Sequence, residues 1–382
     1  MKPNNKRQLT HQTRLTHDAG FSLIEIMVGL VIGMLASMVI MQVFSVFEAQ
    51  KRTTTGTADA QTNGNIALYT IGRELNIAGY PLMPYTNSPL RCTTLNTVGP
   101  PPPGVTDIFP VTITDGGVNG NDSITVRYGD SGSGGVATPI CATAGAVMTV
   151  GAGTTLCSGN NFGCRPNDIA IVTNAANCDV AKVTALTAAN VTPATITLAY
   201  APPNAIPQAN LACLGTWHEV TYRINGGNLE RQDIASPPLD PLVPVPPFVP
   251  IVPGIVNLQA QYGVIDLTSA NANANQIVQW VDATGATWAA PLPPSAAVPN
   301  RNFIKAIHIA VVARNAKKET AVVTTACSSR TAPNPTGLCA WQGSASSPAP
   351  TVNLGASDPN WSKYRYRVFE TVVPVRNAQW RP

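Results

Sequence analysis

The chain has 382 residues and a formal net charge of only +4, and charged residues make up 12% of it. Lys2, Lys6, Arg7 and Arg14 against Asp18 place most of that charge at the N-terminus, so no basic face or acidic tail remains to indicate a nucleic-acid partner. The length allows two domains or one large β-rich domain with insertions. Abundant Gly, Pro, Thr, Ala and Asn favour an extracytoplasmic protein over a cytosolic enzyme.

The first element is an apolar segment, residues 21–47, which carries a single charge at Glu25. About 20 helical residues cross a hydrocarbon core of roughly 30 Å, so the segment predicts a transmembrane helix. The positive charges precede it and therefore predict a cytoplasmic N-terminus with the rest of the chain outside. A secretory signal peptide is the alternative, but its apolar region spans only about 7–15 residues and ends at a small-x-small site that is missing here.

The start of this segment resembles a known signal. Gly20-Phe21-Ser22-Leu23-Ile24-Glu25 is similar to the class III signal of type IV prepilins, although the leader is longer than many. The resemblance implies that prepilin peptidase cuts after Gly20 and removes the cytoplasmic leader 1–20. It further implies N-methylation of Phe21 and retention of residues 21–47 as the transmembrane assembly helix.

The presence of Glu25 in the apolar segment needs an explanation, because a charge inside a membrane costs about 2.5–3.5 kcal/mol on insertion scales. The resemblance implies that its partner is the N-terminal amine at Phe21 of a neighbouring subunit. Such a pair in a low dielectric would set the axial stagger between helices. The alternative is that Glu25 lies near the interface and reaches water.

Small residues recur every four positions along the same helix, at Gly29, Gly33 and Ser37. This stripe is compatible with close packing against another transmembrane helix, although small residues are frequent in membrane helices in any case.

The helix is expected to continue amphipathically over residues 48–80. An apolar stripe predicts the face that packs on a β-sheet, with Arg73 and Glu74 off that face. The residues of the stripe are Leu68, Ile71, Leu75 and Ala78. Gly79 and Pro81 are placed to end the helix, while residues 53–57 and 63–65 are poor helix formers that predict a bend.

Residues 81–382 are expected to form an extracytoplasmic β-rich head. Alternation predicts strands around residues 124–128 and 217–222, and Asn225-Gly226-Gly227 predicts a hairpin turn. Further strands are predicted at residues 255–267, 303–314 and 364–373. In residues 303–314, Phe303, Ile307, Ile309 and Val311 are expected on one face, with His308 and Arg314 on the other. The proline-rich segment 237–253 predicts an extended surface strap.

Several of these segments resemble the PilW type of minor pilin. They are residues 74–80, 256–263, 304–314 and 364–377, whereas residues 92–215 and the proline strap fall outside the resemblance. The resemblance implies an α+β, pilin-like fold: a long N-terminal helix packed on an antiparallel sheet, with disulfide-stapled loop insertions. The large minor pseudopilins of type II secretion share the N-terminal pattern and are the nearest alternative.

All eight cysteines follow the membrane segment, in a compartment that favours disulfides. They are Cys92, Cys141, Cys157, Cys164, Cys178, Cys213, Cys327 and Cys339. Their spacing is unlike that of a zinc site. The two local pairs expected are Cys157–Cys164 and Cys327–Cys339, each stapling a loop.

Two motifs resemble functional sites but are better explained as turns. Ser131 lies in a Gly-Asp-Ser-Gly stretch, but neither His218 nor His308 has the flanking residues of a catalytic base. The loop 115–122 lacks the last-place Glu of a calcium-binding EF-hand and fits Asx and Gly turns. We therefore expect no catalytic residue, no cofactor and no metal.

The functional expectation is a non-enzymatic minor pilin that helps start type IV pilus assembly and sits at or near the tip, supporting adhesion and twitching motility. The alternatives are a type II secretion pseudopilin and a membrane-anchored periplasmic serine hydrolase using Ser131. The resemblance implies prepilin peptidase, other minor pilins, the major pilin and a tip adhesin as partners. It implies the inner membrane before assembly and the cell surface afterwards.

Overall fold

The computed structural model describes residues 20–82, 94–96, 107–151, 163–175, 177–187, 191, 193–236, 245–266, 276–290, 292, 301–328 and 337–378. The chain divides into two compact units, residues 1–54 and 55–382. The first unit is helical where it is described. The second contains the end of the same helix and all of the strands.

The long helix α1, Leu23–Ile77, is apolar enough in its first half to cross a membrane, with a mean hydropathy of 2.5. Helical structure continues through the threonines at which a bend was predicted. The Thr53 and Thr54 hydroxyls donate to the carbonyl oxygens four residues earlier, each at 3.0 Å, which satisfies these side chains within the helix. Gly79 follows the helix with a φ of +76°, as its predicted stop requires.

The strands range from 3 to 11 residues, and among the described residues one further α-helix, α2, spans Gly285–Trp288. In chain order the strands are β1 Thr94–Asn96, β2 Val111–Thr114, β3 Ser123–Gly129, β4 Thr138–Ala144, β5 Val147–Val150, β6 Ile169–Asn174, β7 Asn177–Leu186, β8 Ala194–Leu198, β9 Asn210–Gly215, β10 Trp217–Asn225, β11 Asn228–Ser236, β12 Val249–Pro253, β13 Ile255–Ile265, β14 Ile277–Val281, β15 Ile304–Arg314, β16 Gly337–Cys339, β17 Thr351–Asn353 and β18 Tyr366–Pro374.

Two antiparallel sheets share the main core with the end of α1. Their strand orders are β12-β11-β10-β3-β2 and β14-β13-β15-β18. Ile71 and Leu75 of the predicted apolar stripe are fully buried in one cluster with Val220, Ile307 and Ile309 from the two sheets. The long helix and the mostly antiparallel head fit the expected α+β, pilin-like class.

The predicted hairpin joins β10 to β11. Asn225 pairs with Asn228, so Gly226 and Gly227 form a two-residue turn with φ of +57° and +77°. Positive φ at both turn positions is what a type I′ hairpin needs, and glycine provides it without strain.

The cysteine-rich residues 92–215 were expected to be loops stapled by disulfides, but much of the described part of this stretch forms paired strands. Six strands pair in a closed ring, β7-β6-β9-β4-β5-β8, in which β8 pairs back to β7. The ring has a separate hydrophobic cluster built from small and branched side chains, including Met148, Val172, Ala181, Ile196 and Leu211. A ring of strands can bury enough of these side chains to form a core without large aromatic residues.

Strand β15 is buried on both faces, not on one as its alternation indicated. Ile307, Ile309 and Val311 face the main core, while Ala310 and Val312 pack under the C-terminal residues Ala340, Trp341, Val352, Leu354 and Trp361. His308 lies on this second face, and its side chain is only 13% exposed. Its ring stacks on that of Trp341 with centroids 3.7 Å apart.

The second half of the proline segment is a strand. Residues 249–253 form β12, which pairs with β11 at the edge of its sheet, while residues 237–244 lie outside the described residues. Edge strands tolerate proline because one side of the strand makes no ladder hydrogen bonds.

Candidate assembly site

The predicted processing and pairing residues lie in one turn at the start of α1. Gly20, Phe21 and Ser22 precede the helix, and the Ser22 carbonyl accepts hydrogen bonds from the Glu25 and Ile26 amides at 2.9 and 3.1 Å. Glu25 is thus in the first helical turn, where the positive end of the helix dipole favours a carboxylate. The Phe21 side chain is 79% exposed. The cleavage, methylation and pairing roles remain predictions.

The predicted packing stripe is free of intrachain packing. A Cβ added at Gly29 or at Gly33 would meet nothing within 4 Å, and Ser37 bonds only back to the Gly33 carbonyl oxygen, at 2.8 Å. Nothing within the described unit requires these residues to be small. Their proposed role against a neighbouring helix is therefore still a prediction.

A second stripe of small residues, which sequence reasoning missed, lies on the part of α1 that belongs to the head. A Cβ at Gly56 would overlap the Asn315 side chain, and one at Gly64 would overlap the Phe369 ring. Gly56 and Gly64 therefore leave room for the side chains of Asn315, directly after β15, and of Phe369 in β18. The signal available in the sequence was the spacing of Gly56, Ala60, Gly64 and Ala67, all on one helix face.

Glu74 was expected off the packed face of α1, but its side chain is 3% exposed. Its Oε1 lies 3.3 Å from Arg231 Nη2 on β11, and Arg231 also reaches Asp233 Oδ2 at 3.0 Å. Asp233 in turn contacts His218 Nδ1 at 2.9 Å. Because a buried carboxylate needs a charged partner, this chain of contacts fixes the helix against the sheet.

The chain of contacts shifts the pKa values of its members. Burial opposes protonation of His218, but its hydrogen bond to Asp233 and the charge of that carboxylate outweigh burial and raise the His218 pKa. Burial raises the pKa of Asp233, while the contacts with His218 and Arg231 outweigh it and lower that pKa. His218 and Asp233 therefore hold opposite charges over a wide pH range.

Two disulfides are described in full, Cys164–Cys213, which involves strand β9, and Cys327–Cys339, which closes a loop. Cys164 pairs with Cys213, so the predicted pair Cys157–Cys164 is wrong. The predicted Cys327–Cys339 pair is confirmed. Cys141 and Cys178 are also disulfide-bonded, while Cys92 and Cys157 lie outside the described residues. Spacing along the sequence did not predict this pair, because β9 brings Cys213 from a distant segment to the core of the ring. The Cα atoms of Cys164 and Cys213 lie 5.4 Å apart.

The two turn motifs have structural contacts. The Ser131 hydroxyl hydrogen-bonds with that of Ser133 at 2.9 Å, and no contact among the described residues joins it to either histidine. Asp122 accepts hydrogen bonds from the Gly116 and Ala260 amides at 3.0 and 2.7 Å. Its burial raises the pKa to about 7. Within the described ranges, no group of three or more His, Cys, Asp or Glu side chains could hold a metal.

Comparison with known families adds two matches. Residues 15–41 match the prokaryotic N-terminal methylation motif, and residues 247–377, which contain β12 to β18, match Type IV Pilus-assembly protein W. No curated protein and no solved structure matches the chain.

The two matches support one class of protein, a type IV pilus-related minor pilin. They also confirm the particular resemblance, which is to the PilW type. Such proteins are normally structural and not enzymatic. The apolar helix together with the motif fits a single-pass anchor in the inner membrane.

Proposed function

We propose that this protein helps to initiate type IV pilus assembly and occupies a position at or near the pilus tip, where it supports adhesion and twitching motility. The observation that carries the proposal is the presence in one chain of the methylation motif over residues 15–41 and the pilus-assembly match over residues 247–377. The methylation motif is the kind of N-terminus with which prepilins enter a filament, and the pilus-assembly match indicates the kind of head that the chain carries.

In this proposal prepilin peptidase cuts between Gly20 and Phe21, and the new amine at Phe21 is methylated. Glu25 then pairs with the N-terminal amine of a neighbouring pilin. The pairing stabilises assembly because both charges leave an unfavourable lipid environment together. Gly29, Gly33 and Ser37 provide the open face along which the neighbouring helix approaches.

The ring of strands in residues 138–215 supports a tip position. It lies outside both family matches and has its own core, so it adds a bulky body to the pilin head. A subunit inside a filament must fit its head among neighbours on all sides, whereas a subunit at the tip has none beyond it. The proposed partners are other minor pilins, the major pilin and a tip adhesin.

Deletion of the gene tests this function directly. We expect far fewer surface pili in the deletion strain, restored by the wild-type chain but not by Gly20→Arg, which should remain uncut in the inner membrane. Secretion of exoproteins is measured in the same strains and should be unchanged. Normal piliation in the deletion strain, or normal mature protein from Gly20→Arg, would overturn the proposal.

The same strains distinguish the alternatives. Lost exoprotein secretion with intact pili would indicate a type II secretion pseudopilin. Ser131→Ala should leave piliation unchanged, because the Ser131 hydroxyl contacts only Ser133 among the described groups. A Ser131-dependent hydrolytic activity would instead support the membrane-anchored hydrolase.

A further inference from the structure

Two neighbouring segments of the head, residues 315–324 and 362–367, form a strip of positive charge. They run side by side through backbone hydrogen bonds from the Asn315 amide to the Arg365 carbonyl at 2.9 Å and from the Glu319 amide to the Lys363 carbonyl at 2.8 Å. The strip carries five cationic side chains against one carboxylate, Glu319. We call it the basic strip, and its cations are Lys317, Lys318, Lys363, Arg365 and Arg367.

Most of this charge is open to solvent. Glu319 is shared between Lys317 Nζ at 3.5 Å and Arg365 Nε at 3.4 Å, so one carboxylate serves two cations. Lys318 and Arg367 are exposed, and no ion pair to either is found among the residues that the structure describes. Elsewhere in the head, arginines such as Arg127 and Arg301 are buried and paired with carboxylates.

The strip borders a cavity of about 180 Å³ beside the helix. Arg365 and Arg367 line it together with the polar side chains of Thr57, Asn315 and Thr324, and no lining residue is acidic. Guanidinium groups bind phosphate through paired N–H donors, which Arg365 and Arg367 supply here. The chemistry of this cavity therefore fits a phosphate group.

We propose that the basic strip binds the phosphate headgroups of an anionic membrane surface. Thr57, in the cavity wall, follows Phe47 at the end of the apolar segment by ten residues, and ten residues reach at most about 36 Å. The chain between the apolar segment and the strip is therefore short enough for the strip to reach the bilayer in which the chain is anchored. Basic segments next to a membrane anchor are attracted to anionic headgroups.

This inference rests on the membrane anchoring indicated by the apolar helix and not on the proposed role in pilus assembly. Its consequence is a second attachment point that would orient the head at the membrane before the subunit leaves it. The attraction acts only over about 10 Å at 0.1 M salt, so it would be lost once the head moves away from the surface.

The test uses the full chain in nanodiscs made either of phosphatidylcholine alone or of phosphatidylcholine with phosphatidylglycerol. Hydrogen exchange of residues 315–324 and 362–367 should slow about fivefold in the anionic discs, the factor that attraction of one cation to such a surface supplies. The slowing should vanish at about 1 M salt, where charges are screened beyond roughly 3 Å. It should be clearly reduced in the double variant Arg365→Gln/Arg367→Gln, which removes two of the five cations.

The matched control is Arg165→Gln/Arg376→Gln, which removes two exposed arginines outside the strip and should keep the slowing. Unchanged exchange of β10 and β13 in neutral discs verifies that each variant is folded. Equal exchange in both kinds of disc, or undiminished slowing in Arg365→Gln/Arg367→Gln, would overturn the proposal. Equal slowing by inorganic phosphate in neutral discs would show a free-anion site and would also overturn it.

Discussion

At the scale of single residues, Gly64 shows most clearly why a weak helix former stands inside α1. An added methyl group would overlap the Phe369 ring of β18, whereas at Gly72 the nearest atom is Val373 Cγ2 at 3.9 Å. We predict that Gly64→Ala destabilises the head by about 1–3 kcal/mol through overpacking. Gly72→Ala should be neutral or stabilising by up to about 1 kcal/mol, because alanine is the better helix former.

The measurement is urea unfolding of the full chain in detergent, followed by tryptophan fluorescence. Phe369→Ala should remove the penalty of Gly64→Ala when the two changes are combined, since the ring is the obstacle. Equal effects of Gly64→Ala and Gly72→Ala on the free energy of unfolding would contradict this explanation of Gly64.

His218 predicts a pH dependence of stability. The pKa of His218 is raised in the folded state. Its contribution to the free energy of unfolding is therefore fully present below the pKa of the unfolded state, about 6.5, and is lost as pH rises through the pKa of the folded state. Asp233, with a lowered pKa, must be ionised, so the pair stabilises most between about pH 4 and 6.5. His218→Gln should cost about 1–2 kcal/mol at acidic pH within this window and less at alkaline pH.

His308 provides the control with the opposite sign. Burial lowers the pKa of His308, so folding favours its neutral form and its contribution is lost as pH falls. The stability difference between wild type and His308→Gln should therefore grow with rising pH, in urea titrations at matched pH values. Parallel pH trends for the two variants would show that these contacts do not govern the titration.

At the scale of elements, the Cys164–Cys213 disulfide should hold the ring of strands together. It joins residues 49 positions apart in sequence, so its removal should lower the free energy of unfolding by about 4 kcal/mol according to the loop-entropy estimate. Cys164→Ala/Cys213→Ala should speed hydrogen exchange in β6 and β9, because Cys213 lies in β9 opposite Ala170 of β6.

Removal of Cys327–Cys339 is the matched control. Its separation is 12 residues, for which the same estimate gives about 3 kcal/mol. Faster exchange should be confined to the neighbourhood of β16 and β17, and the ring should be unaffected. A ring that exchanges equally in both double variants would contradict separate roles for the two disulfides.

Some elements were predictable because local pattern and local structure agree. The β10–β11 hairpin follows from Gly226 and Gly227, and the buried stripe with Ile71 and Leu75 follows from helical spacing. The ring in residues 138–215 was missed because its strands are rich in Ala and Thr and its closure depends on pairing between distant segments. Alternation along one strand carries no information about which strand becomes its neighbour.

The burial of Glu74 and of both faces of β15 was missed for a related reason. A charged residue beside an apolar stripe is ordinarily assigned to solvent, but Arg231 comes from a strand more than 150 residues away in sequence. Likewise, the layer that covers His308 is contributed by Trp280 and Trp341. Partners that arrive from distant segments are invisible to local periodicity.

At the scale of the whole molecule, the central claim is that one chain combines a filament-assembly helix with a modified pilin head. Glu25 tests this claim because it is exposed, lies in the first turn of α1 and contributes nothing to the core of the head. Glu25→Ala should leave insertion and cleavage before Phe21 intact, since the cut site is unchanged. Entry into the filament should fail, because the amine of a neighbour loses its partner.

The most direct measurement is the amount of this protein in sheared filaments from cells expressing wild type, Glu25→Ala or Glu25→Asp, together with a count of surface pili. We predict mature Glu25→Ala protein in the inner membrane, little or none in the filaments and fewer pili, with Glu25→Asp intermediate because its reach is shorter. Wild-type incorporation of Glu25→Ala would contradict the account, since a glutamate that merely reaches water is dispensable for assembly.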